Sequence, residues 1–289
     1  MEGARGVFAR YSDDGGATWS DEVVVADDPK QCEVTAGKGN DEAGAMLLWV
    51  RCYRRGRFEH DLYRTIDGAQ FERVASPGLS PAPMQITDIV SVPGEGLMSL
   101  WFAGDYGRKE DGHSWGTLFS RDGGLSWTQR VVESGLAKSE WPTEPSAASL
   151  GGGRILAIAR CEWSAKGMAQ FQLCSEDGGK TWRKSKTNIS DVCESTPSLV
   201  YDPESRTVRN YYYQRGPGLL KRRTAKVDDV IADPMSWPNP ETIAIGGRDR
   251  PFDSGNVNAT HVFGHDFAAW YSGNDHQAGV FLLGEKSRR

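Results

Sequence analysis

The chain of 289 residues has no apolar run long enough to cross a bilayer as a helix, which takes ~20 consecutive apolar residues. Its start, Met1-Glu2-Gly3-Ala4-Arg5-Gly6-Val7-Phe8, carries no apolar signal core. These absences exclude a helical membrane span and set a cytoplasmic expectation, unless the N-terminus is incomplete. No basic run occurs, and 34 Lys and Arg face 39 Asp and Glu, a net charge of −5. A nucleic-acid surface is therefore not expected. Cysteine is sparse: Cys32, Cys52, Cys161, Cys174 and Cys193 form no Cys-x-x-Cys pair, so no zinc site is read and neither metal nor other cofactor is called for. Their odd number cannot pair completely, and free, partly buried thiols in a reducing compartment are the expectation. No segment shows a sustained 3.6-residue apolar period, so no helix is read.

What the chain does have is glycine (34 residues), aromatics and a phrase written three times. It reads Ser12-Asp13-Asp14-Gly15-Gly16-Ala17-Thr18-Trp19, Ser120-Arg121-Asp122-Gly123-Gly124-Leu125-Ser126-Trp127, and Ser175-Glu176-Asp177-Gly178-Gly179-Lys180-Thr181-Trp182. The central aspartates lie 108 and 55 residues apart. A period near 55 locates two worn copies, Thr65-Ile66-Asp67-Gly68-Ala69-Gln70-Phe71 and Asp233-Pro234-Met235-Ser236-Trp237. Each unit also holds short apolar or alternating stretches, such as Gln129-Arg130-Val131-Val132 and Ile155-Leu156-Ala157-Ile158-Ala159. Four short strands per unit of this length are the signature of a β-propeller blade. The expectation is one all-β domain over residues 1–289, about 55 residues per blade. The repeated phrase reads as a turn: Asp and Ser/Thr oxygens accept backbone N–H groups, glycine supplies positive φ, and the Trp packs between blades.

The phrase is the Asp-box, and the chain resembles the sialidase (neuraminidase) superfamily over nearly its whole length. A second segment carries the resemblance further. Glu144-Pro145-Ser146 opens a strand, and Arg160 closes the next one sixteen residues on. The resemblance implies that Glu144 partners a nucleophilic tyrosine and that Arg160 is one of three arginines gripping a substrate carboxylate. Overlaying the repeats puts Glu33, Asp88, Glu144, Thr196 and Asn258 at the start of the first strand, and Arg51, Gly104, Arg160, Arg215 and Tyr271 at the end of the second. An antiparallel hairpin brings these two sets to one end, around one channel mouth, with Asp105 and Asp253 nearby. Arginine forks suit a carboxylate-bearing sugar, and sialidases use tyrosine in place of a carboxylate nucleophile.

The catalytic candidates are Tyr271 and Glu144. The substrate-binding candidates are Arg160, Arg215, Arg51 and Asp88, with Arg51 and Glu33 as ring positions that shape specificity; for Asp88, Asp105 and Asp253 the plainer reading is solvation of the channel lining. Beside these stands a plainer reading, in which Glu144 and Arg160 form a structural ion pair and Tyr271 is one more aromatic on a strand. The implied activity is exo-hydrolysis of a terminal sialic acid or related acidic sugar, with retention. The expected partner is a sialylated or other acidic glycan, and no oligomeric state is indicated. The alternatives are another acidic-glycan hydrolase or lyase on the same fold, or a non-catalytic Asp-box propeller that binds glycan or protein.

Two family elements lie upstream of the first box, an Arg in an Arg-Ile-Pro phrase and an acid/base Asp. This chain contains no Arg-Ile-Pro and begins eleven residues before Ser12. The expected architecture is a six-bladed propeller whose first blade is incomplete, with weak activity as written. Five-bladed closure is the alternative.

Overall fold

The computed structural model describes residues 6–27, 32–54, 56–107, 111–162, 168–192, 195–245, 255–262, 264–273 and 278–286. These hold 21 strands, one short α-helix and one 3-10 turn. The contacts gather into two compact units, residues 1–104 with 115–132, and residues 105–114 with 133–289.

Strands β1 (Gly6–Ala9) and β2 (Val23–Asp27) make a two-stranded ribbon. Strands β3 (Cys32–Asn40), β4 (Met46–Arg54), β5 (Arg57–Thr65) and β6 (Glu72–Ala75) make the next sheet. It is followed by β7 (Gln85–Val92), β8 (Gly96–Ala103), β9 (His113–Ser120) and β10 (Thr128–Leu136). Two further four-stranded sheets are β11 (Pro142–Gly151), β12 (Arg154–Cys161), β13 (Phe171–Ser175) and β14 (Arg183–Lys186), then β15 (Ser198–Asp202), β16 (Thr207–Gln214), β17 (Leu219–Lys226) and β18 (Glu241–Ile245). The last sheet has three strands, β19 (Gly255–Val262), β20 (His265–Gly273) and β21 (Ala278–Lys286). In every sheet each strand bonds to its neighbour in sequence, the meander of a propeller blade.

The protein is all-β and of the β-propeller class, with five blades among the described residues. The expected six are not matched. Four sheets have four strands and one has three, whereas β1 and β2 pair only with each other. Two strands cannot bury a face unaided, and this ribbon lies against β4 through Val7, Val25, Ala26, Leu48 and Val50. A helix that periodicity did not announce, α1 (Val227–Ala232), spans six residues before the fifth box. At this length it has too few turns to display a period.

Apolar side chains from adjacent blades form the cores. In the first unit Trp49 and Leu62 pack with Ile86, Ile89 and Trp101. In the second, Leu156 and Ile158 pack with Leu199 and Tyr212, and Val200 and Tyr211 pack with Val257 and Trp270. The turns of the boxes form as the sequence implies, although Trp19 of the first is exposed and not packed between blades. In the second, the Ser120 hydroxyl donates to Asp122 and accepts the Gly124 N–H, both at 2.8 Å. Asp122 then accepts the Ser126 N–H at 2.9 Å, and the Trp127 indole N–H closes on the Gly124 carbonyl at 2.9 Å. The first and third repeat these bonds. Trp127 meets Trp49 of the preceding blade, ring centres 5.1 Å apart.

Free thiols are confirmed only for the buried Cys161 and Cys174. Cys52 is disulfide-bonded; in the β3–β4 backbone register the position facing it is 32. Cys193 lies outside the described residues.

Candidate active site

Two first strands of the second unit, β11 and β19, slip by one residue near their starts, and those slips build the site. In β11, Thr143 faces Arg160 and Ser146 faces Ile158, so Glu144 and Pro145 share one partner. In β19, Gly255 faces Tyr271 and Asn258 faces Ala269, so Asn256 and Val257 do the same. These are β-bulges, which re-aim a side chain. Glu144 and Asn256 both stand at φ 49°, in the left-handed region, a conformation costing a non-glycine residue on the order of 1 kcal/mol.

Serine hydroxyls tie neighbouring first strands together in the second unit. The Leu199 N–H donates to Ser146 Oγ at 2.9 Å, and the Ala259 N–H donates to Ser198 Oγ at 2.8 Å. β11, β15 and β19 are thereby held side by side, and the residues at their starts converge. Arg160 Nη1 donates to Glu144 Oε2 at 2.9 Å, and Thr196 Oγ1 lies 2.9 Å from the same oxygen. Thr196 Oγ1 is also 2.9 Å from Asn256 Oδ1. Beside them Arg215 Nη2 donates to the Tyr271 hydroxyl at 3.4 Å. A Cβ placed on Gly255 would come within 3.0 Å of Arg215 Nε and 3.2 Å of Ser195 Oγ, so glycine there makes room for the guanidinium.

Arg160 is held on a second side: Nη2 lies 3.0 Å from Glu162 Oε2, and Lys138 Nζ lies 3.7 Å from Glu162 Oε1. Its guanidinium also sits 5.9 Å from the Tyr106 ring centre. Burial works against the charge of Arg160, but Glu144 and then Glu162 outweigh it, and its pKa is raised. The cluster thus sets two carboxylates on one guanidinium, with Arg215 and the Tyr271 phenol beside them. Among the described residues no hydrogen bond joins Glu144 to Tyr271.

The BNR/Asp-box repeat family matches the chain over residues 10–21, the first box. No curated protein matches the chain. Among solved structures, an α-L-arabinanase from Penicillium chrysogenum complexed with arabinobiose is 13% identical, with a TM-score of 0.61 over 86% of this chain and 77% of that one. A Trypanosoma rangeli sialidase in complex with the inhibitor DANA is 14% identical, with a TM-score of 0.62 over 96% of this chain and 49% of that one. An α-L-arabinofuranosidase from Fusarium graminearum, in complex with an iminosugar inhibitor, is 10% identical, with a TM-score of 0.57 over 88% and 92%. The chain thus spans about half the length of the sialidase.

The chain carries an Asp-box repeat on a β-propeller fold.

Within this propeller the sequence candidates fall into two groups. Glu144, Arg160, Arg215 and Tyr271 lie together in the second unit, as the overlaid repeats imply. Arg51 and Asp88 lie in the first unit. Arg51 donates to the Met84 carbonyl at 2.7 Å and sits 4.6 Å from the Phe58 ring centre. Asp88 is buried, with Lys38 Nζ at 3.4 Å. The side chain of Glu33, and Asp253, lie outside the described residues. Asp105 accepts the Gly107 N–H at 2.7 Å and shapes its own turn. The overlay placed Asn258 opposite Glu144, whereas the register gives that position to Asn256. Glu162 and Asn256 were missed. A carboxylate two residues beyond Arg160 was the available signal for the first; a bulge leaves none for the second.

Proposed function

We propose that the chain is a retaining glycoside hydrolase of the exo-α-sialidase type, with Tyr271 as nucleophile and Glu144 as its base. The observation that carries this reading is the meeting of the Tyr271 hydroxyl with Arg215 in the cluster that also holds Glu144 and Arg160. In the first step the Tyr271 oxygen bonds to the anomeric carbon as the glycosidic C–O bond breaks, the phenolic proton passes to the Glu144 carboxylate, and the aglycone leaves as its oxyanion and takes a proton from solvent. Water then displaces the tyrosyl oxygen with a second inversion, giving net retention; the phenolate recovers its proton from Glu144, and the water's surplus proton returns to solvent. A neutral phenol presents no anion to an anionic sugar, and Arg215 favours the phenolate oxygen as it develops. Arg160 and Arg215 are the candidate carboxylate clamps.

The test is release of methylumbelliferone from its α-sialoside by the full chain, since that leaving group departs without an acid catalyst. Tyr271→Phe is expected to lower kcat by about 10³-fold or more. Equal rates in the two proteins would overturn the nucleophile assignment.

One observation favours a second reading. Both arms of the Arg160 fork already meet carboxylates, Glu144 and Glu162, which suits a neutral sugar better than an acidic one. Two of the fold's neighbours are named for arabinose-containing substrates. Turnover of methylumbelliferyl α-L-arabinofuranoside, with none of the sialoside, would select this reading.

A further inference from the structure

We infer that Thr196 is a positioning residue that decides which oxygen of Glu144 acts. The inference rests on the reading of Glu144 as a base and adds the geometry that reading lacks. Thr196 is buried and precedes β15 by two residues, between the two bulges that carry Glu144 and Asn256. Its Oγ1 is 2.9 Å from Glu144 Oε2 and 2.9 Å from Asn256 Oδ1.

A threonine hydroxyl has one proton to give, and both of these neighbours are drawn as acceptors. Glu144 is the acceptor of an ion pair with Arg160 at 2.9 Å, and it takes that proton. The Asn256 amide is then turned about, its nitrogen donating to Thr196 Oγ1, an exchange that the two ends of an amide permit. The relay runs from Asn256 through Thr196 to Glu144, every donor matched to an acceptor.

Its consequence lies on the carboxylate. Oε2 receives both Arg160 and Thr196. Among the described residues Oε1 receives no hydrogen bond, although the Glu144 side chain is only 12% exposed. One oxygen is fixed by two donors and the other is left to accept the Tyr271 proton or a substrate hydroxyl. Without Thr196, Oε2 keeps only Arg160 Nη1, because the other arm of that fork is held by Glu162; the carboxylate can then turn, and the acting oxygen would be lost.

Thr196→Val keeps the shape and removes the hydroxyl, and Thr196→Ser keeps the hydroxyl. On the methylumbelliferyl α-sialoside, Thr196→Val is expected to lower kcat about tenfold or more with KM nearly unchanged, and Thr196→Ser to restore kcat. A hydrogen bond to a charged group has an effect of that size, and a purely structural role would not be rescued in kcat alone. Crystal structures of the two variants give a readout independent of turnover. In Thr196→Val the Glu144 carboxylate is expected to turn, so that its two oxygens no longer keep distinct places; in Thr196→Ser the single-oxygen arrangement is kept. An unmoved carboxylate in the Val variant would overturn the inference, as would an unchanged kcat there. If the unaltered chain cleaves no sialoside, the substrate reading falls and the carboxylate geometry alone decides the inference. Should Thr196→Val not fold, Asn256→Ala, at an exposed position, takes its place: loss of the single-oxygen arrangement supports the relay, and its persistence overturns it.

Discussion

Arg160 shows how a single side chain can be both fixed and exposed to risk. Its neighbours Glu144 and Glu162 are 12% and 6% exposed at the side chain, and each is compensated chiefly by this guanidinium. Removing one partner of a buried pair strands the other. Arg160→Ala is therefore expected to cost about 3 kcal/mol, read from the urea unfolding midpoint, while Glu162→Gln costs clearly less because Glu144 keeps its arginine. Equal losses in both variants would contradict the view that Arg160 is the shared counter-charge. The box aspartates act differently. Asp122 bonds the Ser120 and Ser126 hydroxyls and the Ser126 N–H, much as an N-cap residue holds its turn. Asp122→Ala is expected to cost about 1 kcal/mol in the same measurement, and a cost near zero would mean that the turn forms without its carboxylate.

Strands and turns carry the next set of constraints. Gly39 lies in β3 where a Cβ would stand 1.9 Å from the Ile89 carbonyl oxygen of β7. Backbone cannot yield as a flexible side chain can, so Gly39→Ala is expected to cost on the order of 2 kcal/mol. Gly78→Ala, with nothing within 4 Å, should change stability by less than ~0.5 kcal/mol. Thermal unfolding of the pair would decide, and matching midpoints would refute the close-packed reading of β3 and β7. This scale also shows where sequence was legible. The boxes could be read because their bonds join residues at most four apart, so the phrase contains its own structure. From the boxes followed the hairpins, and from the hairpins the grouping of Glu144, Arg160, Arg215 and Tyr271. The bulges could not be read, because an extra residue in one strand has no composition of its own. That is why the overlay chose Asn258 over Asn256, and why Thr196 entered as a ring position without a role. Cys52 was misread for the same reason, since only the strand register sets it opposite position 32.

For the whole molecule, the repeated turns add up to a dependence on pH. Asp14, Asp122 and Asp177 are all lowered from 3.8 to about 2. Hydrogen bonds from Thr18 and Ser126 are the main cause in the first two; in Asp177 burial pulls upward and the bonds from Thr181 and Ser175 outweigh it. A carboxylate whose folded pKa is depressed stabilises the fold above its unfolded value and loses that contribution as pH falls through the folded one. Stability is thus expected to hold down to about pH 4 and to fall between about 4 and 2. Solvent screening keeps each share small. Urea unfolding at stepped pH checks this, with Asp122→Asn and Asp177→Asn together flattening the acid slope; an unaltered slope would remove the boxes from the explanation. The number of blades was legible only in part, for sequence supplies strands and not the partners that decide whether a ribbon becomes a blade.

The sequential pairing of every strand has a consequence for how the chain reaches this state. Each sheet closes only loops between consecutive strands, and each complete Asp-box closes bonds between residues at most four apart. Loop-closure entropy is lowest for such short connections, and folding rates follow the sequence distance of contacts. Blades should therefore assemble as separate early units, with the inter-blade cores and the cluster around Glu144 consolidating last. The catalytic candidates would then be the final part of the molecule to become rigid and the first to loosen.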